Sequence, residues 1–549
     1  MENTQDKRKE RTYRKWIGTR RQIIVKAVFS LVYTLFIMLG EPERWRKLLD
    51  NPVWLLVLEM LGTALAAYAV LTVLFLVLDR RKTRELPVEE RERRFFDGRT
   101  YLVLAIVCLL CWLPYFLTEY PGWVSNDSVW QLEQICGMKP LSNHHPFLHT
   151  MLIKLFFTIG QRVSGTVEGG VALYIFAQMV FMALVYALIV YDLYKKNVHN
   201  IWLVAAMLFY AVLPVNGVYA IGMGKDTLFA GMLLLFARYV YRYSTGKESC
   251  LGIAVTGLLV CMLRSNGILV FAGTAAGLVI AGFLRKKQKR IVTCCVLVLA
   301  CYLVYQGPLL RALAVQQPDV IEGLTMPVQQ MLSAYVNGGT FTQEQTEYLA
   351  EIVPLEGLEE YYNASFFDLV KNHIREQGNQ QVIADDKGRF LKMWLEIGLH
   401  NPAQYLEAEI RQTYGYWGFH VDTPLYEQYR MAENPFGLTV QRKVFSYDFS
   451  LWESDFLMQF QDVFHKVWSL GLTTWLLLLC MAYALYAGKS VLPYLPFAML
   501  FVSLLLATPV YAEFRYTYGI FVAIPLLLWV TLEPRKDGAW TGQQEQEAV

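Results

Sequence analysis

The chain has 549 residues, is 55% hydrophobic and 14% aromatic, and carries a net charge of only +3. Its mean hydropathy of +0.31 excludes an ordinary water-soluble globule. Of nine cysteines only Cys136 falls in a predicted outer loop, so no disulfide framework is available and no Cys/His spacing suggests zinc.

A helix needs roughly 20 apolar residues to cross the hydrocarbon core. About twelve runs qualify, near 22–40, 53–78, 100–118, 170–191, 200–219, 226–243, 250–264, 267–284, 291–309, 464–486, 490–508 and 514–532. Backbone inside lipid must pair within its own segment, so these runs are expected to be helices. Basic residues gather at Lys7, Arg8, Lys9, Arg11, Arg14 and Lys15, and again at Arg80, Arg81, Lys82, Arg84, Arg91, Arg93 and Arg94. Two further groups are Lys195-Lys196 and Arg285-Lys286-Lys287. The positive-inside rule places all of them in the cytoplasm, with both termini. No cleavable signal peptide is expected, because the basic head leads into a span without a small-residue cleavage site.

The expected organisation is a two-helix preface with a basic linker (1–99), then a membrane core (100–309) with an outer loop at 118–169. An extracytoplasmic α-rich section follows (310–463), then three final helices (464–532) and a cytoplasmic tail (533–549). Within the outer loop, Thr150, Lys154, Thr158 and Gln161 recur at helical spacing among Phe147, Met151, Leu152, Leu155, Phe156 and Ile159. That is an amphipathic helix over 147–162, with Pro146 suited to its first turn. It is expected to lie in the interface, since a crossing there would put Arg285-Lys286-Lys287 outside. The outer section is too long for a connector and shows helical pieces at 343–352, 365–377, 388–400 and 403–413, split at Asn401-Pro402.

The residues fit for chemistry collect on the outer side. Pro121-Gly122-Trp123-Val124-Ser125-Asn126-Asp127-Ser128 opens the outer loop, and Asn143-His144-His145-Pro146-Phe147-Leu148 leads into the amphipathic helix. Asp127 at that boundary suits a general base or a metal ligand, and equally a helix N-cap. His144 and His145 precede a helix N-terminus, where a phosphate is favoured; headgroup-wetted histidines are the plainer account. Lys225-Asp226 opens the sixth span after Gly222-Met223-Gly224, as a charge pair or a simple topological cap. Asp226, with Asp127, is a candidate for holding a divalent cation. Arg264 sits so near the apolar zone that it must snorkel or pair. In Glu513-Phe514-Arg515-Tyr516, Arg515 offers a planar fork for phosphate oxygens and Glu513 can orient it; a structural salt bridge to an outer acid is the alternative.

These elements resemble the GT-C superfamily of polytopic glycosyltransferases, which includes protein mannosyltransferases and lipid A aminoarabinose transferases. Asp127 followed by His145-Pro146-Phe147-Leu148 is similar to that superfamily's outer-loop acid and its proline-started interfacial helix. Glu513-Phe514-Arg515-Tyr516 looks like its late Glu/Arg-Tyr element, and Lys225-Asp226 looks like its second outer acidic position. The Met326–Gln330 and Trp394–Trp417 stretches are similar in texture to uncharacterised bacterial members. The likeness covers the layout of about 100–532. It departs from the pattern in carrying one acid at Asp127 where some families have two.

The resemblance implies an all-α enzyme of a bacterial cytoplasmic membrane. Its donor would be a sugar on a polyprenyl phosphate and its acceptor an envelope molecule. Arg515 with His144 or His145 would hold the phosphate, and Asp127 would act as base in an inverting transfer. Lys225, Asp226, Arg264, Glu513 and Tyr516 would line the substrate site. Partners are then lipid-linked sugar, acceptor and membrane lipids, with no nucleic acid; no nucleotide motif lies in the cytoplasmic loops. A transporter is the rival reading, although its site would be expected at the midplane between repeated halves. Another polyprenyl-phosphate enzyme of the envelope, or an assembly protein, would share parts of this surface.

Overall fold

The computed structural model describes residues 19–40, 52–82, 97–196, 198–247, 249–284, 288–419, 421, 423–425, 430–441, 443–444, 447–448 and 450–533. The N-terminal basic cluster, most of the first basic linker, residues 285–287 and the tail from 534 lie outside the described residues.

In chain order the first helices are α1 (Arg20–Leu39), α2 (Val53–Lys82), α3 (Gly98–Thr118), α4 (Asn126–Ile135), α5 (Phe147–Ser164) and α6 (Val167–Lys195). Next come α7 (Asn200–Ala211), α8 (Pro214–Ile221), α9 (Lys225–Ser244), α10 (Cys250–Leu263), α11 (Gly267–Leu284) and α12 (Gln288–Val304). The outer section holds α13 (Thr325–Val336), α14 (Gln343–Ile352), α15 (Asp368–Gln377), α16 (Lys387–His400) and α17 (Pro402–Thr413). The chain ends with α18 (Ser450–Val467), α19 (Leu470–Tyr486), α20 (Leu495–Ala507), α21 (Phe514–Phe521) and α22 (Ile524–Leu532). Apart from a two-residue antiparallel pair, Lys443–Val444 with Tyr447–Asp448, the described fold is all-α.

All twelve apolar runs are helical, but fewer are single helices long and apolar enough to cross on their own. Among the described residues, seven helices are long and apolar enough to span a bilayer, or nine if two bent pairs each count once. This is a multi-pass membrane protein. The shortfall from twelve has identifiable causes. α7 and α8 meet at a 43° bend before Pro214, and the helix ahead of α19 meets it at 48°. α10 and the helix over 492–507 are apolar but short, while α9 carries Lys225, Asp226, Arg238 and Arg242.

α6 runs through the centre of the main core, buried at Tyr174, Ile175, Met179, Met182, Tyr186 and Val190. α5 is not among the helices apolar enough to cross. It turns back along α6 so closely that a Cβ on Gly160 would lie 2.4 Å from the Gly169 carbonyl oxygen. Pro146 caps α5 from just outside it, and Phe147, His149, Thr150, Ile153, Phe157 and Gly160 form its buried face. Thr150 thus leaves the polar face that the spacing suggested, because a partner on α4 receives it.

The preface helices dock on the C-terminal part. Phe29, Tyr33 and Phe36 meet Trp475 edge-on, and Phe75 meets Tyr483. The outer section has its own hydrophobic core, including Met331, Leu332, Tyr348, Phe367, Ile374, Phe390 and Ile397. The break between α16 and α17 is held by Asn401, which accepts from Thr340 N at 2.7 Å and donates to the Thr340 and Ile397 carbonyls at 2.9 Å.

Candidate functional site

Backbone pairing brings the outer-loop acid to the start of α9. Trp123 N donates to Ile221 O at 3.0 Å and Met223 N donates to Trp123 O at 2.7 Å. The Ser128 hydroxyl closes the seam on the Met223 carbonyl. From the other side Phe367 N bonds Pro509 O and Tyr511 N bonds Ser365 O, so the outer core grips the strand-like lead into Glu513. α5 is anchored by Asn143, whose Oδ1 accepts from Phe147 N at 3.0 Å, and by Tyr305, whose hydroxyl accepts from Leu148 N at 3.1 Å.

Four segments distant in sequence then meet. Lys225 Nζ donates to Asp127 Oδ2 at 2.8 Å, and Arg515 donates to the same oxygen at 3.2 Å. His145 Nδ1 lies 4.0 Å from Oδ2 and 3.1 Å from Lys225 Nζ. Lysine has only protons to give, so His145 Nδ1 accepts. Burial, with Lys225 beside it, keeps this ring well below its ordinary pKa and neutral. Burial alone would raise the Asp127 carboxyl, but the Lys225 and Arg515 charges hold it well below the usual range. Asp127 remains 34% exposed, whereas Lys225 is 17% and Arg515 14% exposed. The carboxylate is the open face of an otherwise enclosed cation cluster.

Helix geometry adds to the positive field. Asp127 sits in the first turn of α4, Lys225 is the first residue of α9 and Arg515 the second of α21. None of these three helices has a side-chain cap bond. The first-turn amide groups of such helices carry partial positive charge, and side chains from all three first turns meet at Asp127. Capping alone does not describe Asp127, since Ser125 holds the N-cap position.

Arg515 also pairs through Nε with Glu513 and reaches the Tyr516 hydroxyl at 3.3 Å. Arg264 does not snorkel. It pairs with buried Asp226 and lies 4.6 Å over the Tyr516 ring, which links that pair to the cluster. His144 turns the other way. Its ring stacks edge-on against His145 at 4.7 Å, and its Nδ1 faces Glu322 at 3.7 Å. Glu322 is held in turn by Lys371 at 3.3 Å and Arg375 at 2.5 Å. Burial works against that carboxyl, yet Lys371, His144 and Arg375 keep it below its usual range. His144 is thus a tie to the outer section; only His145 faces Asp127.

Among the described residues no three His, Cys, Asp or Glu side chains converge as a metal would require. Asp127 and Asp226, the carboxylates available for a divalent cation, each face cations of the protein itself. That donor set does not fit a second positive ion.

A family model described as a family of unknown function (DUF6020) matches residues 137–546. The chain belongs to the DUF6020 family. No curated protein and no solved structure matches the chain. The DUF6020 segment holds the partners of Asp127, from His145 to Arg515, while Asp127 itself lies ten residues ahead of its first residue.

Within this DUF6020 chain the sequence reading missed a buried polar set behind the cluster: Gln131, His149, Tyr174 and Gln178. Burial pushes His149 down to about 3. A faint signal existed, since Gln131 follows Asp127 by one helical turn and His149 follows His145 by the same four residues. Glu322 was missed as well; no local pattern links it to His144, 178 positions earlier in the chain.

Proposed function

We propose that this chain is a GT-C-type membrane glycosyltransferase that moves a sugar from a polyprenyl-phosphate donor to an envelope acceptor at the extracytoplasmic face. The observation that carries the reading is the convergence of Lys225 and Arg515, each from the first turn of a helix without a side-chain cap, on the partly exposed Asp127 carboxylate in the first turn of a third. A phosphodiester has the charge and oxygen geometry that such a cluster accepts, and Arg515 supplies the planar fork. In this reading all twelve helical runs cross, with both termini inside, and α5 lies in the interface beside the site.

The donor phosphate takes Lys225 and Arg515 from Asp127. With its cations redirected and an anion beside it, Asp127 becomes a stronger base. It then accepts the proton of an acceptor hydroxyl as that oxygen attacks the anomeric carbon. The bond from that carbon to the phosphate oxygen breaks on the opposite face, so configuration inverts and the polyprenyl phosphate leaves with the electron pair. Lys225 and Arg515 stabilise the charge that develops on it. His145, neutral and fixed by Lys225, adds a ring N–H to the same surface. Arg264, Asp226 and Tyr516 form the wall next to the sugar.

The test uses purified protein in lipid nanodiscs, offered a panel of polyprenyl-phosphate sugars with crude envelope acceptor. Transfer by the native chain and not by Asp127→Asn is expected. Equal transfer by both removes Asp127 as base. Absence of transfer with saturable counterflow of the lipid in liposomes replaces the enzyme with a transporter.

A further inference from the structure

Gln131, His149, Tyr174 and Gln178 form a continuous buried line whose proton order can be worked out. The Gln131 amide faces Thr150 Oγ1 through Nε2 at 2.7 Å and His149 Nδ1 through Oε1 at 3.0 Å. His149 Nε2 lies 2.7 Å from the Tyr174 hydroxyl, which lies 3.3 Å from Gln178 Oε1. Gln178 Nε2 donates to Ala220 O at 3.0 Å and Gly222 O at 2.7 Å.

The Gln178 end sets the direction. Its nitrogen sits among carbonyls, which only accept, so its oxygen must receive the single Tyr174 proton. Tyr174 oxygen then accepts from His149 Nε2–H. A neutral imidazole in that tautomer has a bare Nδ1, which needs a donor. Only the Gln131 amide nitrogen can be that donor. The two ends of a carboxamide are assigned by the network they join. Turning the Gln131 amide over puts its oxygen on the Thr150 hydroxyl, and every group then has a partner.

We infer that Gln131, His149, Tyr174 and Gln178 are positioning residues, a one-directional relay that fixes the Gly222-Met223-Gly224 turn carrying Lys225 against the helix carrying Asp127. The relay joins the second turn of α4 and the first turn of α5 to α6 and the end of α8. Its consequence for turnover rests on the proposed transfer reaction; its effect on Lys225 does not.

The experiment is competitive acylation with trace acetic anhydride on the full chain in nanodiscs, read peptide by peptide by mass spectrometry. Lys371, held by Glu322 and Asp368, is the internal reference. Tyr174→Phe keeps the ring and cuts the relay, and should raise Lys225 labelling at least threefold over Lys371. Gln131→Glu should do the same, because a carboxylate cannot donate to His149. An added negative charge alone would draw the Lys225 ammonium in and slow its acylation, so a rise is not a charge effect. Unchanged Lys225 labelling in Tyr174→Phe overturns the relay. A rise in Tyr174→Phe with none in Gln131→Glu overturns its direction. Where native transfer is observed, a Tyr174→Phe kcat equal to the native value overturns the positioning role. Labelling that responds in a chain without transfer activity leaves the relay standing and counts against the proposed reaction alone.

Discussion

Replacing Asp127 by Asn should move ligand binding and turnover in opposite directions. The carboxylate now holds the two cations that a donor phosphate would use, at 2.8 and 3.2 Å. A phosphodiester carrying one negative charge about 5 Å from Asp127 would repel it by roughly 3 kcal/mol at an effective dielectric of about 20. Asp127 is 34% exposed, so water screens more than half of this and about 1–1.5 kcal/mol remains. Asn keeps the shape and removes that repulsion, so binding should tighten about 5- to 12-fold. Loss of a general base costs about 10²–10⁴ in rate, and turnover should fall by at least the lower figure. A fluorescent short-chain prenyl-phosphate sugar titrated into nanodiscs measures the first, and product release measures the second. Weaker binding by Asp127→Asn would mean that the carboxylate grips the ligand and does not compete with it, and the charge argument would be wrong. Turnover within tenfold of the native chain would take the proton away from Asp127.

Three further outcomes concern the scaffold. Arg264→Met leaves Asp226, only 3% exposed, without its partner; a loss of about 3–5 kcal/mol is expected in detergent unfolding, with most of it recovered by adding Asp226→Asn. Glu409 on α17 is pushed by burial from 4.5 up to about 7. A raised carboxyl binds its proton more tightly when folded, so this group's contribution to stability is fully present below about 4.5, declines as pH rises, and is lost above about 7. The decline is at most about 3 kcal/mol, and Glu409→Gln should abolish it in melts taken across that range. Gly471→Ala puts a Cβ 1.9 Å from the Gly418 carbonyl oxygen, a backbone contact that no rotamer relieves. The turn after α17 must then lift from α19, and a lower melting midpoint with easier proteolysis near 418 is the expected result.

The helices and the segments that carry the cluster were legible because each depends on near neighbours in sequence. Apolar runs report hydrocarbon, and Asn401-Pro402 reports a break, whatever the rest of the chain does. The crossing count was less legible: α9 balances an apolar length against four charges, and the bend at Pro214 divides one apolar run into two helices. Pairings across the fold were the hardest to read. Nothing local distinguishes His144 from His145, yet one faces Glu322 and the other Lys225. A more general signal does survive in the sequence. Asp127 with Gln131 on α4 and Tyr174 with Gln178 on α6 are each four residues apart on one helix, and His149 on α5 follows His145, which precedes that helix, by the same spacing. The two helical pairs each place two polar groups on one face, and in the first of them Asp127 meets the open cluster while Gln131 is buried behind it. A helix buries a second polar residue one turn behind the first at a cost that is recovered only if that residue is bonded. Repetition of the spacing on α4 and α6, and across the start of α5 between them, is therefore evidence that their polar faces meet one another. Each such pair is ordinary alone, but several of them on neighbouring helices mark the interior wall of a site.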